Sequence, residues 1–234
     1  MGTRRIALVI LVCMQVVLTG IGLARWQQGN GTARTPLVRL DTGVPTGVPL
    51  TIESALTAAT QRAQAWSADA FVFAAGMQVD WPVDASAAGK SELPGNGWVL
   101  FTFGAAKQGV GLDGNGATLS MLIDRLSGVV IDEREMGWSW EPARRLAVAT
   151  YPISATVALF AADVSAGLAY RTACPQYRHL SRVSLVPGSS AGGAYWLVTY
   201  EDARSAGRPA LNVRTDATTG QVSRDDRTVD QTAC

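Results

Sequence analysis

From Ile52 onward, apolar residues recur at steps of three and four: Ile52, Leu56, Ala59, Ala63 and Trp66. That spacing predicts one face of an amphipathic helix, with Thr51 as its N-cap. The same period returns after Pro152, in Ile153, Val157, Phe160, Val164 and Leu168, and Pro152 suits a first helical turn. Behind each helix the pattern becomes extended. Trp98–Phe103, Thr118–Asp124 and Val129–Ile131 follow the first, and Tyr195–Tyr200, Leu211–Asp216 and a strand resuming at Val222 follow the second. Asp124 to Gly128 is four residues, as is Asp216 to Gly220. Within such an Asp-x-x-[Ser/Thr]-Gly-x-Val segment, Asp opens the turn, Gly takes positive φ and Val resumes the next strand.

The order of elements predicts an α+β fold of two repeats, each one helix packed on an antiparallel sheet. Trp98 and Trp196 are expected in equivalent strands under the two helices. Five segments are expected: a membrane anchor or signal segment over 1–24, an extended linker over 25–48, a first repeat over 49–136, a connector over 137–151, and a second repeat over 152–234. The linker is drawn from Pro36, Gly43, Pro45 and Gly47, among which no apolar period is visible.

The anchor is drawn from Ile6–Ala24, 19 residues without a charge behind Arg4 and Arg5. As a helix it is long enough for a bilayer core of about 30 Å. The expectation is a single pass with the body outside the cytoplasm, since the basic start stays inside. Cleavage after Ala24, at a weak Gly22-Leu23-Ala24 exit, is the alternative and gives a secreted body.

The turn Asp216-Ala-Thr-Thr-Gly-Gln-Val222, behind a helix and an aromatic-bearing strand, resembles the ending of a PepSY domain; Asp124-Arg-Leu-Ser-Gly-Val-Val130 resembles it more loosely. The resemblance implies tandem PepSY-like units on a bacterial envelope protein. It also implies an association with peptidases and no catalytic residues to carry over.

Composition narrows the chemistry. At 47% hydrophobic and 17% charged residues the chain is not disordered as a whole. A net charge of +1 argues against a nucleic-acid partner. One His, His179, excludes any site that needs two, and three Cys exclude a Cys-rich zinc module. No cofactor or metal is expected. The partners expected are the membrane, through residues 6–24, and an envelope protein.

Several motifs suggest chemistry and lack its context. Gly188-Ser-Ser-Ala-Gly192 has the hydrolase-elbow pattern around Ser190, but a strand follows it and His179 precedes it. Gly109-Val-Gly-Leu-Asp-Gly114 reads as a hairpin tip rather than a dinucleotide loop. Asp113, Asn115 and Asp124 occupy calcium-loop positions 1, 3 and 12, without the Gly that the loop needs at position 6. Cys174 near His179 offers a second hydrolase reading. The favoured reading pairs Cys174 with Cys234 in a disulfide, in a compartment that permits oxidation. His179 is then expected to be partly exposed. Trp138 and Trp140 lie on one side of a strand and are expected between the repeats, with a carbohydrate or lipid surface as the alternative. Glu201-Asp202, Asp132-Glu133 and Asp225-Asp226 are expected as solvated strand ends whose neighbours face opposite ways. The resulting expectation is a non-catalytic extracytoplasmic binding or regulatory module.

Overall fold

The structure is a computed structural model, and it describes residues 37–81, 94–106, 116–138, 145–173, 177–188, 193–202 and 211–224. All belong to one compact unit, Thr35–Cys234. The expected anchor Ile6–Ala24 lies outside the described residues. Among them, no helix is long and apolar enough to cross a membrane.

A short strand, β1 (Val38–Arg39), precedes helix α1 (Ile52–Trp66). Four strands follow: β2 (Phe71–Trp81), β3 (Gly97–Ala105), β4 (Gly116–Asp124) and β5 (Val129–Trp138). A 3-10 turn (Val148–Thr150) leads to α2 (Ala155–Ala162), one π-helical turn (Asp163–Gly167) and α3 (Leu168–Ala173). Four more strands close the chain: β6 (His179–Pro187), β7 (Ala194–Asp202), β8 (Leu211–Asp216) and β9 (Val222–Arg224). All nine strands form one sheet in the order β1-β5-β4-β3-β2-β6-β7-β8-β9, antiparallel throughout. The fold is α+β, as expected from the pattern.

Local chemistry explains why the helices begin where they do. Thr51 accepts a hydrogen bond from the Ser54 backbone, and Ser54 Oγ accepts one from the Thr51 backbone, a reciprocal capping box. Ser154 caps α2 by accepting from the Val157 backbone at 3.2 Å. Ile153 is therefore outside the second helix, not its first apolar position.

The two turns share their hydrogen bonds. Gly128 donates to Asp124 O, and Gly220 to Asp216 O, both at 3.0 Å. Their φ angles are +67° and +74°, the positive values expected of both glycines. Asp124 Oδ1 accepts from Ser127 N at 2.8 Å, and Asp216 Oδ1 from Thr219 N at 2.7 Å. The Thr219 and Thr218 backbone donors hold the Asp216 carboxyl below the usual carboxylate range. Residues ahead of each helix dock on the turns, Leu50 N–H to Arg125 O and Ile153 N–H to Ala217 O.

Strand register corrects one expectation. Trp98 pairs with Asp124, whereas the residue paired with Asp216 is Tyr195, not Trp196. A one-residue offset reverses the face in a strand. Trp196 is accordingly fully buried on the helix side, while Trp98 is half-buried on the other.

Both helical segments share one apolar core on one face of the sheet. Ile52, Ala55, Ala59 and Ala63 of α1 and Ala155, Ala158, Leu159 and Ala162 of α2 belong to it. So do Met77, Val79, Phe101, Phe103, Met121, Val183, Trp196, Val198 and Val213. Each fully buried large side chain contributes roughly 1.5–3 kcal/mol. Leu40 and Leu50 join the same core, so the expected linker is docked from Val38 onward rather than extended as far as residue 48. Arg125 fastens its end. Fully buried, it donates from Nε to Leu50 O and from Nη1 to Pro94 O, each at 2.8 Å. Burial pulls its pKa down to about 10.

Candidate functional site

A cluster of buried polar groups, Asp163, Arg171, His179, Ser181 and Asp202, lies under the second helical segment. Pairing of β2, β6 and β7 sets Trp81 beside His179 and His179 beside Asp202, on the helix side of the sheet. Tyr170 of α3 closes over this row. Its hydroxyl donates to Asp202 Oδ2 at 2.6 Å, and its ring meets the His179 ring edge-on at 5.4 Å. Trp81 Nε1 donates to Ser181 Oγ at 2.6 Å.

A second layer adjoins the first. Arg171 lies over the Trp81 ring, 3.8 Å from its centroid. It donates through Nε and Nη2 to the two oxygens of Asp163, at 3.2 and 2.6 Å. Tyr200 Oη lies 3.5 Å from Asp163 Oδ1. Burial, reinforced by the Asp163 charge, pushes the Tyr200 phenol up, so it stays protonated.

The π-helical turn makes this geometry available. A Cβ on Gly167 would lie 2.1 Å from the Tyr200 ring, so only glycine allows that approach. The backbone N–H of Leu168 donates to Asp163 O, five residues back, and the extra residue carries Tyr170 and Arg171 round to the inner face. The cluster thus joins a hydroxyl–carboxylate pair, a buried ion pair and an imidazole. It locks α3 to the sheet, because a buried charge left without its partner is costly.

The opposite face carries its own polar row. Arg182 donates to Glu201 Oε1 at 2.9 Å and to Gln78 Oε1 at 3.1 Å, and Gln78 Nε2 donates to Asp80 Oδ1 at 2.9 Å. Arg178 also pairs with Asp80.

Three sequence expectations are corrected here. His179 is not partly exposed; it is 3% exposed, because β6 starts at this residue and turns it inward. Glu201 and Asp202 do face opposite ways, yet both are buried, satisfied by Arg182 and Tyr170, rather than solvated. On β5, Glu133 pairs with Arg62 and Asp132 with Arg134.

Ser190, Cys174, Cys234, Trp140 and Asp225-Asp226 lie outside the described residues, as does the Trp138 side chain at the end of β5. Their surroundings still bear on the motifs. Pro187 pairs with Ala194, and Gly188 N–H donates to Gly193 O at 2.7 Å. The residues that flank the Ser190 motif thus belong to two paired antiparallel strands, and a strand, β7, follows it. His179 begins β6, and Pro187, which ends it on the side of the motif, is about 25 Å away at strand rise. Residues 109–114 lie outside the described residues; the strands on either side of them in sequence, β3 and β4, pair antiparallel. Asp124 caps its own turn at the end of β4, and Asp113 and Asn115 lie outside the described residues. Among the described residues, no group of His, Cys, Asp and Glu is arranged to hold a metal.

Tyr170, Arg171, Asp163, Tyr200 and Trp81 were not legible as a group, because they come from four separate elements. One signal was available: Asp163 and Arg171 are the only charges in an otherwise uncharged helical stretch.

No family model and no curated protein match the chain. Among solved structures, it is similar to a Clostridium difficile 630 protein described as a "putative lipoprotein". The TM-score is 0.43 at 11% identity, over 80% of this chain and all of the other.

Proposed function

We propose that this chain is a non-catalytic binding or regulatory module of the bacterial envelope. In this reading it is held by a single pass over Ile6–Ala24, its body lies outside the cytoplasm, and it is built from two copies of one PepSY-like α+β unit. The repeat reading is supported by matched capping, docking and turn hydrogen bonds at Thr51 and Ser154, Leu50 and Ile153, Gly128 and Gly220. The two units meet along β2 and β6. A Cys174–Cys234 bridge is part of the reading, and a thiol count on the denatured, unreduced chain tests it.

The observation that carries the binding function is the face of the sheet turned away from the core. Trp98, Leu100, Leu180, Val186, Tyr195 and Leu197 stand there half-buried, among Gln78, Thr102, Arg182 and Thr199. Aromatic and aliphatic anchors interleaved with hydrogen-bonding groups suit a protein partner. Capture from native membranes tests the reading: a Leu100→Asp/Leu197→Asp variant of unchanged circular dichroism should lose the partner that the parent chain retains. Equal capture by both would reject this face.

A further inference from the structure

The second helical segment carries no charge on its outer side, where its large side chains are apolar, and keeps its charges on the inner side. Its only charged residues, Asp163 and Arg171, are both buried and bound to each other. Outward stand Val157, 51% exposed, and Val164, 84% exposed, with Phe160 and Leu168 half-buried beside them; Ser165, Ala169, Thr172 and Ala173 are exposed too, and the two hydroxyls are turned back onto the helix, donating to Ala162 O and Leu168 O. In α1 the exposed positions are Thr57, Gln61, Gln64 and Ala65, mostly polar. A helix that shows large apolar side chains on its outer face belongs in apolar surroundings on that face as well as against the core. One side is the core; the other is water unless something covers it.

We propose that the outer face of α2, the π-helical turn and α3 rests on a lipid surface. This rests on the membrane-anchor reading above. The chain between Ala24 and β1 is short enough to reach at most about 45 Å when fully extended, so an anchored body stays within reach of the bilayer. The stripe comprises four apolar side chains, too few for the roughly 1,200 Å² of a stable protein interface, whereas a lipid contact has no such minimum. It carries no cation, so the contact is with the acyl boundary rather than with anionic headgroups. Binding is then expected to be the same with and without anionic lipid.

The test is photocrosslinking of the full chain in phosphatidylcholine vesicles, with and without phosphatidylglycerol. Benzoylphenylalanine replaces Val164 in one chain and Gln61 of α1 in another; both side chains are exposed, so folding is preserved. Lipid adduct at 164 should exceed that at 61 roughly tenfold, and Val157→Glu in the same chain should remove most of that excess. Equal adducts at both positions would overturn the proposal. A chain–chain adduct at 164 would also overturn it, in favour of a second copy on this face. Extraction of the chain by alkaline carbonate would count against the anchor alone; adduct at 164 after vesicles are added back then decides the docking face separately.

Discussion

The two halves of the sheet carry helices of opposite character on matching strands. Helix α1 is amphipathic in the ordinary sense, with Ile52 and four alanines inward and Thr57, Gln61 and Gln64 outward. Its rim is tied to β5 by Arg62 with Glu133 and by Trp66 with Glu135. The second segment buries an ion pair, a tyrosine–aspartate bond and a histidine, and shows valines to the outside. Yet N-caps, turns and pairing agree in both halves. The framework is thus set by caps, turn glycines and the two-residue period of the strands, which leaves helix chemistry free to differ. The core row shows the same contrast: Phe101 and Phe103 of β3 are apolar, while β7 ends its inward row in Tyr200 and Asp202.

The contrast can be broken most forcefully at Asp163. Asp163→Ala leaves Arg171 buried without its partner and should cost about 3–5 kcal/mol in urea unfolding, whereas Gln61→Ala in α1 should stay within about 0.5 kcal/mol. Comparable effects at the two sites would remove the distinction between the halves. Gly167→Ala comes next. Its methyl meets the Tyr200 ring, and a loss of roughly 1–3 kcal/mol is expected, part of which a smaller residue at 200 restores in a double-mutant cycle.

A pH series sharpens the same point. Burial and Asp163 raise the Tyr200 phenol, so above pH about 10 the unfolded chain releases a proton that the folded chain keeps. Stability from this group is complete below that pH and is lost as pH rises, with a slope of up to about 1.4 kcal/mol per unit that Tyr200→Phe should lack. Equal slopes for parent and variant would show that Tyr200 ionises freely. The smallest effect concerns what the halves share. Gly128→Ala and Gly220→Ala should each cost about 1–2 kcal/mol. The cost should be greater at Gly220, where Ile153 lies 3.3 Å from the added Cβ, than at Gly128, whose nearest neighbour is at 3.7 Å.

These differences also mark where sequence could be read. The first helix was legible from Ile52 to Trp66 because its outer face is polar, and the Asp–Gly turns were legible because their chemistry is local. The second helix face runs against its pattern: Val157, Phe160, Val164 and Leu168 have the expected period and yet point outward. Alanine supplies an equally apolar inner face, and a π-helical turn breaks the period. Strands β2 and β6 carry a weaker pattern, because Gly76 interrupts one and Pro187 ends the other. The polar cluster was illegible for a different reason: His179, Asp202 and Trp81 become neighbours only through the β2–β6–β7 register.

That register has a consequence for how the protein behaves in company. Strand β2 runs eleven residues and β6 nine, and each half alone would present one of them as a long unpaired edge, the template on which chains add to one another. Joining the halves hides both edges against each other. Among the described residues, what remains at the rims is β1, two residues long, with the part of β5 beyond Val130, whose charged Asp132, Glu133, Arg134 and Glu135 blunt it as an edge, and β9, three residues long. A chain interrupted before β6 would lose that protection at once, so intact synthesis of both halves is itself a safeguard against self-association.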